Sequence, residues 1–186
     1  MANSNAGNIL YGIFRQDSNP DLPPIFASYN PETGNFTELF TLSADNLDRE
    51  TAYDPLTNTF YVTNESDDRI PGTIIAIDID TGNQTSIALP QSFLAGDSKE
   101  PTRNLVFASD RNLLYGIFRE DSNLDPIFAS YNPETGNFTE ITTLSAGLIF
   151  GYAAYDSNNG TFYTFGQSFN APGTIIAIDV DTGNQN

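Results

Sequence analysis

The stretch SYNPETGNFTE occupies residues 28–38, and the same eleven letters return at 130–140, 102 positions later. A phrase stated twice in 186 residues marks an internal duplication, and a repeat decides the fold before any local signal does. Other phrases carry the same interval. LYGIF at 10–14 returns at 114–118, AYD at 52–54 returns at 154–156, and GTIIAIDIDTGNQ at 72–84 returns as GTIIAIDVDTGNQ at 173–185. The long period is therefore about 101 to 104 residues.

Each long unit divides again. PIFASYNPETGN (24–35) aligns with GTIIAIDIDTGN (72–83), 48 positions on: an apolar strand, an acidic turn, then T-G-N. NILYGIF (8–14) aligns with NTFYVTN (58–64) at an offset of 50. The basic unit is thus close to 50 residues, and the chain holds four, at roughly 8–43, 51–90, 104–145 and 151–186. They pair into two-unit repeats, 8–103 and 104–186.

Within a unit, apolar and polar residues alternate over short runs rich in β-branched and aromatic side chains. Unit three reads NLVFASD, LLYGIF, PIFASYN, FTEITTL. Those are strands, and no segment sustains a helical period. SDRN and NPETGN read as tight hairpin turns, with Gly136 free to take positive φ. Four antiparallel strands every 40 to 50 residues is the pattern of a β-propeller blade. The whole chain from Ile9 onward resembles the β-propellers of the loosely conserved bacterial kind, whose blades pair LYG strands with D-x-x-T-G-x hairpins. The resemblance implies an all-β propeller fold and carries no activity. No WD dipeptide, kelch diglycine or sialidase Asp-box is present. A β-sandwich is the competing fold, and the 50-residue period argues against it.

Composition narrows the function. The chain is 39 % apolar with 14 Phe and 9 Tyr, enough to offset the entropy of ordering a core. Its 24 acidic and 7 basic side chains give a formal charge of −17, which disfavours nucleic acid and anionic membranes as partners. There is no Cys and no His, so thiol chemistry and the commonest general base are absent. The opening MANSNAGN has neither a basic region nor an apolar core, as a signal peptide would, and no run approaches eighteen apolar residues. A soluble protein is expected, with an extracellular or cell-surface setting favoured. No motif implies a cofactor.

Loop lengths choose the working face. If strands are numbered one to four outward within a blade, the one-to-two turns (DPLTN, SDRN, DSNNG) and three-to-four turns (PETGN, DTGN) are short. The two-to-three connections at 15–24, 64–72, 119–125 and 166–173 are long, as are the blade-to-blade connections at 43–50, 90–103 and 145–151. In an up-and-down blade both long classes emerge at one end, where binding residues are expected. Arg15, Arg49, Arg69, Lys99, Arg103 and Arg119 lie in them, and Arg111 alone lies in a short turn. The expected ligand contacts are Arg15, Arg69, Arg103 and Arg119 with Asp17, Asp68 and Asp121, facing an anionic small molecule, a glycan or a protein. Ion pairing between these cations and neighbouring acids is the structural alternative.

Other motifs favour structure over chemistry. DIDTGN (78–83) and DVDTGN (179–184) alternate carboxylates near a glycine, yet the spacing fails the calcium loop and fits a hairpin turn. Five N-x-S/T sequons, at Asn35, Asn64, Asn83, Asn137 and Asn159, fall mostly in turns where Asn is favoured anyway. Tyr11, Tyr53, Tyr61, Tyr115, Tyr155 and Tyr163 recur at equivalent strand positions, as core packing between blades would require. A non-enzymatic binding module is the expected function. The alternatives are a glycan-acting hydrolase using loop carboxylates and a purely structural scaffold. The near-identical copies favour the binder.

The terminal units look incomplete. Before Ile9 nothing resembles NLVFASD, and after DTGNQN nothing resembles the outer strand QTSIALP. The expected strand count is three, four, four and three. Two copies joined end to end into a ring of eight blades is the assembly this count suggests. The alternatives are a longer repeat protein with the same even blade count, of which this chain is a piece, and a compact four-bladed monomer.

Overall fold

A computed structural model describes residues 2–4, 9–15, 22–43, 47–64, 73–88, 102–118, 125–144, 148–167 and 173–186. Every regular element among them is a strand. Blade one comprises β1 (Ala2–Ser4), β2 (Ile9–Phe14), β3 (Ile25–Asn30) and β4 (Asn35–Thr41); blade two comprises β5 (Leu47–Asp54), β6 (Thr59–Asn64), β7 (Thr73–Asp78) and β8 (Gln84–Ala88). Blade three comprises β9 (Thr102–Ala108), β10 (Leu113–Phe118), β11 (Ile127–Tyr131) and β12 (Phe138–Thr143). Blade four comprises β13 (Leu148–Asp156), β14 (Thr161–Gln167) and β15 (Thr174–Asp179). Each is an antiparallel meander in chain order. The inner strands follow one another β1, β5, β9, β13, whereas β13 and β1 do not pack together as these successive strands do. The result is an open arc of four blades.

Two expectations need correction. Blade one does have an inner strand: Ala2, Asn3 and Ser4 pair with Tyr11, Leu10 and Ile9. Three residues are too few to show alternation, so backbone pairing alone reveals the strand. Inner strands also begin earlier than the repeat suggested, at Leu47, Thr102 and Leu148, because each contains a bulge that breaks its alternation. Blade four has three strands, and Gln185 adds a single bridge to Ile178 on the far side of β15.

The turns explain their own sequences. Gly34, Gly82, Gly136 and Gly183 close the three-to-four hairpins at φ of 73° to 75°, a conformation costly for a residue with Cβ. In the one-to-two hairpins the same left-handed position is held by Asn58, Asn112 and Gly160, at 54°, 53° and 63°. Asn tolerates that region better than other L-residues, so Asn and Gly exchange freely there.

Burial falls into three layers, one per junction between blades. Phe26 and Leu42 of blade one meet Phe60, Val62, Ile75 and Ile77 of blade two. Ala52, Tyr61 and Ile74 on the other side of blade two meet Leu105, Leu114, Phe118, Ala129 and Tyr131 of blade three. Tyr115, Ile117 and Phe128 of blade three then meet Phe162, Ile178 and Val180 of blade four. Strand alternation supplies this: neighbours such as Phe60 and Tyr61 point to opposite faces, so an inner blade is buried on both sides. Aromatic rings bind the layers, with Phe26–Phe60 at 4.9 Å and Phe128–Phe162 at 4.7 Å in duplicate positions. The strand residues Leu10, Ile13, Ile25, Phe107 and Ile176, which their apolar pattern would place in a core, are only half-buried. Among the described residues no blade covers the face of blade one that carries Leu10 and Ile25.

Candidate functional site

The short-turn end of the blades is chemically closed. Asp78 Oδ1 accepts from the backbone N–H of Asp80 (2.9 Å) and of Thr81 (2.9 Å), and Asp179 Oδ1 accepts from Asp181 and Thr182 in the same way. Asn30 and Asn132 do this for the NPETGN turns. Hydrogen bonds favour the ionised carboxylates and lower both pKa values. For Asp179 the Thr182 hydroxyl (2.8 Å) counts most, then the backbone N–H groups, and for Asp78 the Thr81 N–H counts most. The repeated acid is therefore a turn device, as the hairpin reading expected. Among the described residues no cluster of three acidic side chains could hold a metal.

Arg111, the cation of the SDRN turn, also acts within this end. Its guanidinium forms a two-pronged pair with Asp181 of blade four, with Nη2 at 2.9 Å from Oδ2, and its Nε donates to the Tyr155 hydroxyl at 3.0 Å. That hydroxyl donates to Asp110 Oδ2 at 3.1 Å. The guanidinium keeps the Asp181 carboxyl below its ordinary pKa. Arg111 thus ties blade three to blade four.

The opposite end carries the long connections. Phe14 pairs with Ile25 and Ile25 with Thr41, so in blade one the outlet of β2, the start of β3 and the exit of β4 share one end. Leu47, Asn64, Thr73 and Ala88 define the same end in blade two. Of the expected ligand residues, Arg15 is exposed just beyond β2. Arg103 is the second residue of β9, in register with Ile117, and its side chain lies outside the described residues. Asp17, Asp68, Arg69, Arg119 and Asp121 lie outside the described residues altogether. The backbone places Arg15 and Arg103 at the long-connection end of blades one and three, and brings none of the seven side chains together among the described residues.

A second polar constellation, missed in the sequence, sits among the strands at this end. Asn104 occupies the β9 bulge at φ 62° and is buried. Its N–H donates to Glu50 Oε2 of blade two at 3.0 Å, and its Nδ2 donates to Thr164 Oγ1 of blade four at 2.6 Å. One residue therefore links three blades. Its Oδ1, together with Thr63 Oγ1 and Asn64 Oδ1, is buried without a hydrogen-bond partner, an unusual state for polar atoms in a native structure. The available signal was an Asn inside an apolar strand, where it is disfavoured unless its side chain has a specific partner.

A family model described as "Repeat of unknown function (DUF6923)" matches residues 6–186. The chain belongs to the DUF6923 repeat family. No curated protein matches the sequence. Among solved structures, this DUF6923 chain is similar to a putative TolB from Agrobacterium tumefaciens, with TM-score 0.69, 14% identity, and coverage of 99% of this chain and 62% of that one. It is also similar to TolB from Acinetobacter baumannii, with TM-score 0.67, 12% identity, and coverage of 97% and 43%. A third similarity is to an oligogalacturonate lyase in complex with manganese, with TM-score 0.62, 10% identity, and coverage of 94% and 49%. TolB is a β-propeller protein, so the likeness establishes the propeller fold, with the DUF6923 chain forming an incomplete propeller. It spans less than two thirds of each of these neighbours.

Proposed function

We propose that this DUF6923 chain is a non-enzymatic binding module that takes an anionic ligand at its long-connection end. One observation carries the reading: six of the seven cations gather in the long connections, beside 13 of the 24 acids. The short-turn end uses its acids to close turns and neutralises Arg111 against Asp181. The other six cations, Arg15, Arg49, Arg69, Lys99, Arg103 and Arg119, lie in or next to the long connections of a protein with formal charge −17. Cations gathered at one end suit a carboxylate or sulfate, whether on a small molecule, an acidic glycan or a protein.

A hydrolase needs one carboxyl held protonated in a cleft. The described carboxylates with resolved shifts, Asp78, Asp179 and Asp181, all move the other way. The loop carboxylates that a glycan-acting enzyme would use, Asp17, Asp68 and Asp121 among them, lie outside the described residues.

The test is an array of neutral, uronate and sulfated oligosaccharides probed with the purified chain, followed by a reducing-sugar release assay on any hit. Binding to anionic members without sugar release is expected. The quadruple variant R15A/R69A/R103A/R119A should weaken it at least tenfold, since one charged hydrogen bond contributes about 1.5–3 kcal/mol. Binding that survives all four changes contradicts the assignment of the face.

A further inference from the structure

The two ends of the arc expose opposite halves of a junction that the molecule already contains. Blade two turns Ala52, Tyr61 and Ile74 toward blade three, and all three are buried there. Blade four repeats these residues as Ala154, Tyr163 and Ile175, in the same register: Ala154 pairs with Tyr163, as Ala52 pairs with Tyr61. Among the described residues no blade covers them. Ile175 is 71% exposed, Ala154 is exposed and Tyr163 is half-buried. Phe165, standing where blade two has Thr63, adds a further exposed apolar side chain to this face.

The complementary half lies on blade one. Blade three meets blade two through Leu114, Phe118 and Tyr131, with Phe138 packed at the edge. Their counterparts in blade one are Leu10, Phe14, Tyr29 and Phe36. Leu10 pairs with Tyr29 as Leu114 pairs with Tyr131. The edge-on ring pair Phe14–Phe36 (4.9 Å, 87°) repeats Phe118–Phe138 (5.0 Å, 79°). Side-chain geometry is thus already set on the open face, yet Tyr29 is 36% exposed where Tyr131 is 6%, and Phe36 is 47% exposed. One position departs from the pattern: Phe107, opposite Leu114, is replaced in register by Asn3, opposite Leu10.

We propose that the outer face of blade four docks on the outer face of blade one of a second copy, repeating the junction between blades two and three, and that two copies close a ring of eight blades. The occupant is a second copy because blade one carries the residues that cover this face inside the chain. An unrelated partner would have to reproduce them. The contact is head-to-tail, so it yields a ring if the rotation closes. Propellers typically have four to eight blades, and two four-bladed arcs are the only multiple beyond one that fits that range. Copies of charge −17 repel at low salt, and screening removes most of that repulsion at physiological ionic strength. Salt therefore strengthens this association, whereas it weakens anion binding at the long-connection end.

The experiment is light scattering on wild type, Ile175→Asp, Tyr29→Asp and an equimolar mixture of the two variants. Both positions lie on the open faces, so far-UV circular dichroism should show each variant folded. Wild type should run at twice the 20.3 kDa chain mass, and more completely as salt rises. Each variant alone should be monomeric, because every junction it could form contains a charged face. The mixture should regain a species of two copies, since one variant keeps an intact blade-four face and the other an intact blade-one face. A wild type that stays at one chain mass at all concentrations overturns the proposal. So does a dimer indifferent to both substitutions, or a mixture still monomeric at a hundred times the concentration that assembles wild type. Growth to ever larger species with concentration overturns the closed ring.

Discussion

Ile74 and Ile175 stand at the same place in the same peptide, GTIIAID, but Ile74 is fully buried whereas Ile175 is 71% exposed. Their strands pair identically, Ile74 with Thr63 and Ile175 with Phe165. Two things differ: blade three lies beyond Ile74, and the outer strand β8 sets Ile87 beside it, whereas blade four has three strands. The same side chain thus serves as core in one blade and as surface in the next, and mutations should read out that contrast.

Truncation of the core provides the scale. Phe128 is fully buried between Tyr115 and Phe162, and Phe128→Ala should cost about 3–5 kcal/mol through lost transfer energy and the cavity left behind. Ile175→Ala, measured where the chain is monomeric, should change stability by less than about 0.5 kcal/mol. Urea unfolding at low protein concentration checks both.

Two hairpin glycines separate backbone strain from contact. Gly34 has φ 73° with nothing within 4 Å of a Cβ built on it, so Gly34→Ala should cost about 1–2 kcal/mol from the left-handed backbone alone. A Cβ on Gly183, at the same φ, would lie 2.9 Å from Thr142 Cβ and 3.1 Å from the Ile141 carbonyl oxygen of blade three. Backbone cannot yield there as a ring edge could. Gly183→Ala should be clearly the more damaging of the pair in thermal melts.

Acid should loosen the short-turn end. Asp78, Asp179 and Asp181 have folded pKa values below the ordinary 3.8, so their stabilisation is fully present above that value. It is lost as pH falls below 3.8 toward the folded values. Protonation also relieves the −17 repulsion and acts in the opposite direction. The readout is the difference in melting temperature between wild type and Asp179→Asn, present at pH 6 and shrinking on acidification.

Alkali should act through two tyrosines. Burial pushes Tyr61 and Tyr115 up to about 12 from 10.0. A raised folded pKa on a group whose neutral form is buried contributes stability that is present below pH 10 and lost as pH rises through 12. The chain lacks Trp, so phenolate absorbance reports tyrosine alone. Tyr61 and Tyr115 should ionise only with unfolding. Tyr61→Phe should remove part of the alkaline transition.

Much of this was legible in the letters. The phrases LYGIF, PIFASYN and GTIIAID read as strands and each became one; in blades two and three both faces serve a junction, and in blades one and four only one face does. The T-G-N turns were legible because positive φ requires Gly34, Gly82, Gly136 and Gly183. The inner strands were not, because bulges at Asn104 and between Leu47 and Thr51 break the period that sequence reading depends on. Asn104 was hidden for a deeper reason: its partners Glu50 and Thr164 are 54 and 60 residues away, and only the propeller arrangement brings them together. The expected cationic site remains a reading of topology and charge, since five of its seven residues lie outside the described segments.

The most direct measurement exploits the absence of cysteine. Ile175→Cys and Ile74→Cys each place a single thiol in the chain, at equivalent positions. Repetition of the blade two–blade three junction between copies predicts that the thiol of Ile175→Cys is shielded from a maleimide at high protein concentration and reactive on dilution, while that of Ile74→Cys is shielded throughout. Reaction of Ile175→Cys at the rate of a free thiol, whatever the concentration and salt, would contradict the account.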